Sequence, residues 1–123
     1  MSVSPSRFII IVFAALVLLA TGTRAQSPLD AQAQAFLKAH GPVRLAPDPD
    51  FAPVDFVDGA GRHRGLSAEL LDLLARRSGM ELRRVTRPSF ADALAALQAG
   101  EVDVVSGVFQ SPARAGRFLF SSP

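Results

Sequence analysis

Apolar residues recur at helical spacing in three stretches of this chain, and short β-type runs lie between them. Leu29, Ala33, Phe36 and Leu37 share one face of a helix over 29–40, which Gly41-Pro42 stops. Leu66, Leu70, Leu73 and Leu74 form a second stripe. It predicts a helix from an N-cap at Ser67 to Arg77, packed on something apolar and ended by Ser78-Gly79. Phe90, Leu94 and Leu97 make the third stripe, behind a cap at Ser89 and ahead of Gly100. Strand candidates fall at 43–46, 54–57, 81–86 and 102–105. Three prolines exclude regular structure over 47–53, and Asp58-Gly-Ala-Gly61 is a turn from which His63-Arg64 leads back. Ser111 and Pro112 open a short helix, and Phe118-Leu-Phe120 reads as a last strand. Strands alternating with helices predict an α/β fold, a mostly parallel sheet flanked by helices. Ligands of such sheets sit outside the carboxyl ends of the strands.

The first 25 residues change the charge picture. Arg7 precedes an unbroken apolar run over 8–20, and Thr23-Arg24-Ala25 offers small residues for cleavage. The run is shorter than the roughly 20 residues that cross a bilayer, so 1–25 reads as a secretory signal peptide, with an uncleaved anchor as the alternative. Of 13 basic residues, Arg7 and Arg24 leave with the signal, and the remaining 11 balance 11 acidic ones. A neutral mature chain gives no reason to expect nucleic acid as a partner, and Arg76-Arg77 and Arg83-Arg84 read as solvated faces. With no cysteine there are no disulfides, thiolate metal sites or lipidated lipoprotein signal.

The densest candidate chemistry is Asp103-Val-Val-Ser-Gly-Val-Phe-Gln-Ser-Pro-Ala-Arg114. A strand leads through a small-residue loop to a capped helix start with an arginine in its first turn. Backbone N–H groups and a guanidinium fork together suit a carboxylate. The plainer alternative pairs Arg114 with Asp103. No nucleophile with its base, nucleotide loop or metal-ligand spacing appears. His40 and His63 both adjoin turns and read as solvent-exposed. An enzyme is not expected, and neither is a cofactor.

Several motifs, in order, resemble the first lobe of family 3 periplasmic solute-binding proteins. They are Asp48-Pro-Asp-Phe-Ala-Pro53, Asp58-Gly-Ala-Gly-Arg-His-Arg-Gly65, Leu66-Ser-Ala-Glu-Leu-Leu71, the 90–97 helix, Ala99-Gly-Glu-Val-Asp103, and Ser111-Pro-Ala-Arg114 with 118–123. The resemblance divides the chain into the signal, an N-terminal helix and linker over 26–42, and an incomplete binding domain over 43–123. It implies a Venus flytrap whose second lobe and returning segment are missing. A lobe so truncated would expose a sheet edge and be marginally stable or prone to aggregate.

The resemblance also implies roles. Arg114 would hold a ligand carboxylate beside Ser111, and the Gly107 carbonyl would accept from an ammonium. Phe51 would cover the ligand side chain, with Asp48 in the same loop. Phe109 departs from the family pattern, because amino-acid binders usually place Ser or Thr there; a larger or less polar ligand becomes possible. Plainer roles exist for each: Asp48 as support for its loop, Phe51 as a loop anchor, Phe109 packed beneath its own loop. The implied function is periplasmic binding of a small polar or carboxylate-bearing solute for ABC-type uptake through a membrane permease. The alternatives are the sensor lobe of a kinase or cyclase, a fused signalling module, and the regulatory lobe of a lytic transglycosylase. The helix ahead of the first strand leans toward these alternatives.

Overall fold

A computed structural model of the protein describes residues 29–122. The expected signal peptide and the start of the linker lie outside them. Helix α1 (Ala31–His40) begins at Asp30, whose carboxylate accepts from the Ala33 amide at 2.7 Å. Gly41, at φ +81°, ends it as expected. None of its residues is buried, and Phe36 is 63 % exposed, so the helix lies on the surface of the lobe.

The core is a three-stranded parallel sheet. Strand β1 (Val43–Ala46) runs between β5 (Leu82–Arg84) and β6 (Val104–Val105). Val43 pairs with Leu82, and Ala46 with Val105. The central strand is the most buried: Leu45 and Ala46 are wholly buried. Ala46 packs with Ala93, Ala96 and Val102. Those two alanines belong to α3 (Phe90–Gln98). Small residues on that face bring the helix close to the sheet, and Ser89 caps it by accepting from the Asp92 amide at 3.1 Å.

A second sheet was only half foreseen. Strands β2 (Asp50–Phe51), β3 (Asp55–Val57) and β4 (His63–Arg64) form an antiparallel meander with β3 in the middle. The β3–β4 turn closes on Asp58, whose carboxylate accepts from the Ala60 and Arg62 amides at 3.0 Å each. The Arg62 amide first, then burial opposing it and the Ala60 amide, leaves the Asp58 carboxyl below its ordinary range.

Two helix expectations need correction. Helix α2 spans Leu66–Ser78 and is capped by Gly65, not Ser67. The Ser67 amide instead donates to the Val54 carbonyl at 2.9 Å, and the helix starts two residues sooner. The leucine stripe does not pack either: Leu66, Leu70, Leu73 and Leu74 are 39–66 % exposed. The face toward β3 and β4 carries the buried Ala68, with Leu71 and Ala75 half-buried in line with it.

The chain after β6 also differs. Helix α4 (Pro112–Ala115) starts at Ser111 with Pro112 first, as expected, but is a single turn. Residues 118–122 are not a strand. A strand needs a ladder partner, and no described strand pairs with them. Their approach is fixed by Arg117, which bonds Gln98 at 2.5 Å.

Candidate functional site

Because β1 and β6 are parallel neighbours, the loops that follow them leave the same edge of the sheet. The loop after β1 carries Asp48 and leads to Phe51 on β2; the loop after β6 carries Gly107, Phe109 and Ser111. The two loops meet through their phenylalanines. The Phe51 and Phe109 rings lie 6.0 Å apart in a T-shaped arrangement at 73°, and Phe109 is 72 % exposed. Phe109 therefore faces outward from its loop rather than packing beneath it.

Arg114 is braced twice. Its Nη1 donates to the Phe109 carbonyl at 3.0 Å, and its guanidinium lies 5.4 Å over the Phe90 ring. The plainer pairing with Asp103 does not form, because Asp103 belongs to Arg44. That arginine donates its backbone amide (2.8 Å) and Nε (3.0 Å) to one oxygen and Nη2 (2.7 Å) to the other. Among the described residues no carboxylate pairs with Arg114. Ser111 makes no side-chain capping bond, so its hydroxyl is uncommitted within the helix start.

Asp48 behaves as a loop support: its Oδ1 accepts from the Asp50 amide at 3.0 Å. Its own amide points at Oδ2 of Asp55 at 3.4 Å. Gly107 adopts φ +70° against the same carboxylate. Thus Phe51, Phe109 and Arg114 are joined directly, Asp48 and Gly107 meet at Asp55, and Ser111 sits at the start of the arginine's helix.

Asp55 and His63 were missed by sequence reasoning. Asp55 is wholly buried, and the His63 side chain is 2 % exposed with Nε2 2.5 Å from Asp55 Oδ1. His63 is therefore not the solvent-facing turn residue it was expected to be. The usable signal was register: Val57 opposes His63 in the β3–β4 pair, which puts Asp55 and His63 on one face. His40 is half-exposed, 3.5 Å from Asp103. No cluster of three or more metal-ligating groups occurs among the described residues.

An open groove of about 770 Å³ runs from Gly107 past Leu94 and Leu97 of α3 to Leu70 and Leu74 of α2 and Phe118. Two leucines of the unpacked stripe, Leu70 and Leu74, wall it on one side, and Arg114 does not line it.

The parallel sheet, its flanking helices and the loops at its strand ends define a lobe of a Venus-flytrap binding domain. The chain belongs to the bacterial extracellular solute-binding proteins, family 3, which it matches over residues 43–123. The amino-acid-binding protein AabA of Dichelobacter nodosus is 30 % identical over 76 residues, 61 % of this chain and 30 % of that protein. The virulence sensor protein BvgS of Bordetella pertussis is 31 % identical over 75 residues, 61 % of this chain and 6 % of that protein. Its periplasmic VFT2 domain superposes with a TM-score of 0.66 at 26 % identity, covering 74 % of this chain and 39 % of that one. The arginine-bound form of domain 1 from TmArgBP gives 0.61 at 30 % identity, covering 72 % and 70 %. The chain thus spans under a third of the length of AabA and under a tenth of BvgS.

Proposed function

We propose that this lobe binds a small solute bearing a carboxylate, amino-acid-like in size, in the periplasm, and that it acts by binding, not catalysis. The observation that carries this reading is Arg114: held by the Phe109 carbonyl and the Phe90 ring, it has no carboxylate of its own among the described residues. A guanidinium so oriented offers its remaining N–H groups to an incoming carboxylate. Each charge-assisted bond of this kind contributes about 1.5–3 kcal/mol.

The other roles follow from position. The Ser111 hydroxyl donates to the same carboxylate, and the Gly107 carbonyl accepts from an ammonium. Phe51 and Phe109 form an apolar wall, while Asp48 keeps the first loop in shape. The one-turn α4 is too short for its dipole to add much, so Arg114 and Ser111 carry the anion end. Support comes from the amino-acid-binding name of AabA and from the arginine-bound domain 1 of TmArgBP, a single domain recorded with ligand. In this reading a cleaved signal over 1–25 delivers the chain, and a permease of the ABC type receives the solute.

A sensor lobe is the second reading, favoured by the likeness to BvgS and by α1. That helix buries none of its residues in the lobe and so suits a connector better than a core element.

Calorimetric titration of the full chain with arginine, glutamine, glutamate and succinate tests the binding face. At least one should bind, and Arg114→Ala should weaken it about tenfold or more. Equal binding by the variant would show that Arg114 is not the anchor.

A further inference from the structure

Three segments converge on the buried carboxylate of Asp55, to which the proposed function gives no role. The Asp48 amide reaches Oδ2 at 3.4 Å, and His63 Nε2 lies 2.5 Å from Oδ1. Gly107 presses against the same group: a β-carbon there would stand 2.8 Å from Oδ2 and 3.2 Å from the Asp55 β-carbon. Phe51 is the cross-strand partner of Asp55 in the β2–β3 pair. Three residues of the solute face, Asp48, Phe51 and Gly107, are therefore set by one side chain and its backbone.

The chain of bonds continues outward. Arg84 Nε donates to His63 Nδ1 at 3.3 Å, and its Nη2 bonds Asp72 of α2 at 2.5 Å. A guanidinium only donates, so Nδ1 is the acceptor and the imidazole proton sits on Nε2, where it is given to Asp55. The series Asp72–Arg84–His63–Asp55 runs from a half-exposed carboxylate to a buried one. It also ties β5, an edge of the parallel sheet, to β4, an edge of the meander.

We propose that Asp55, His63 and Arg84 are positioning residues that hold the Asp48–Phe51 segment and the Gly107 loop at one spacing, and so shape the solute face. Its meaning for ligand rests on the solute-binding reading above. A buried carboxylate that loses its imidazole donor keeps only a long amide bond, and the cost of that is relieved by turning or admitting water. Either movement releases the Asp48 amide and loosens the contact under Gly107.

The test needs no ligand, so its outcome is separate from that of the titrations above. Amide hydrogen exchange of the full chain is followed by NMR together with the His63 ring nitrogens. The wild-type ring should report a proton on Nε2. In His63→Leu, exchange at Asp48 should rise about tenfold and the Gly107 signal should move, while the amides of β1 keep their protection. His63→Gln, whose amide nitrogen can take the place of Nε2, should restore Asp48. An unchanged Asp48, or equal acceleration throughout β1, would overturn the proposal. Should His63→Leu fail to fold, Arg84→Met decides. Loss of the fixed tautomer with faster exchange at Asp48 supports the relay, and no change in either sinks it.

Discussion

The backbone of Gly107 lies against the carboxylate of Asp55 so closely that a β-carbon at 107 would stand 2.8 Å from its Oδ2. Gly107 also has φ +70°, so two separate constraints demand glycine there. Gly65 is tighter still: at φ +101° its β-carbon would meet the Val54 carbonyl oxygen at 2.6 Å and that of Pro53 at 2.7 Å. Gly79 shares the positive φ, at +73°, but has nothing within 4 Å.

These three glycines should rank by their surroundings. Gly79→Ala suffers only the left-handed backbone and should cost about 1–2 kcal/mol. Gly107→Ala must in addition displace a side chain, and about 2–3 kcal/mol is expected. Gly65→Ala meets backbone that cannot rotate away and should cost the most. Denaturant titration of the three variants measures the order. Equal losses at 65 and 79 would mean that close approach is not what requires glycine at 65.

Arg44 and Asp103 make a pH-dependent clamp across β1. The Arg44 side chain, then its amide and its charge, hold the Asp103 carboxyl down to about 2 from the usual 3.8, against opposing burial. A folded pKa below the unfolded one adds stability that is complete above 3.8 and lost as the pH falls toward about 2. Arg44→Met should therefore lower stability at pH 6, by an amount that the partial exposure of the pair keeps small. The gap between variant and wild type should close toward pH 2 in paired denaturation curves. A gap independent of pH would assign the effect to packing.

Most of the architecture was legible because it rests on local patterns. Ser89, Gly41 and Gly100 mark helix ends by their own chemistry, and the alternation of strand and helix implies the parallel sheet. The leucine stripe of α2 misled, because periodicity identifies an apolar face without saying which face is covered. Ala68, a weaker signal, is the residue that packs. His63 misled for another reason: its burial depends on pairing with Asp55, eight residues back across a hairpin, which the polarity of His63 and its place beside a turn do not report. Arg114 and Phe109 were readable as candidates, but the brace from Phe90 and the contact with Phe51 join separate segments and appear only in the fold.

In the proposed solute face, Phe109 is the residue that would set the polarity. Its exposed ring places an apolar edge where relatives of the amino-acid-binding kind are expected to carry a hydroxyl. Phe109→Ser should strengthen binding of glutamine or arginine about tenfold, the worth of one hydrogen bond. Solutes with an apolar body should lose affinity in the same variant. Calorimetry on both solute types reads the exchange; a parallel loss for both would mean that Phe109 only supports its loop.

Phe90 offers a way to separate the orientation of Arg114 from its charge. The ring lies 5.4 Å beneath the guanidinium and on the first turn of α3, where it is half-buried. Phe90→Leu keeps most of the apolar volume but removes the π face, so Arg114 keeps its charge and its bond to the Phe109 carbonyl while losing one restraint. Affinity for a carboxylate solute should fall about threefold to tenfold, with stability changed by less than about 1.5 kcal/mol. Arg114→Lys keeps the charge and loses the planar fork, and should weaken binding further than Phe90→Leu. If Lys binds as well as Arg while Phe90→Leu has no effect, the site needs only a positive charge, and the bracing of the guanidinium contributes nothing to recognition.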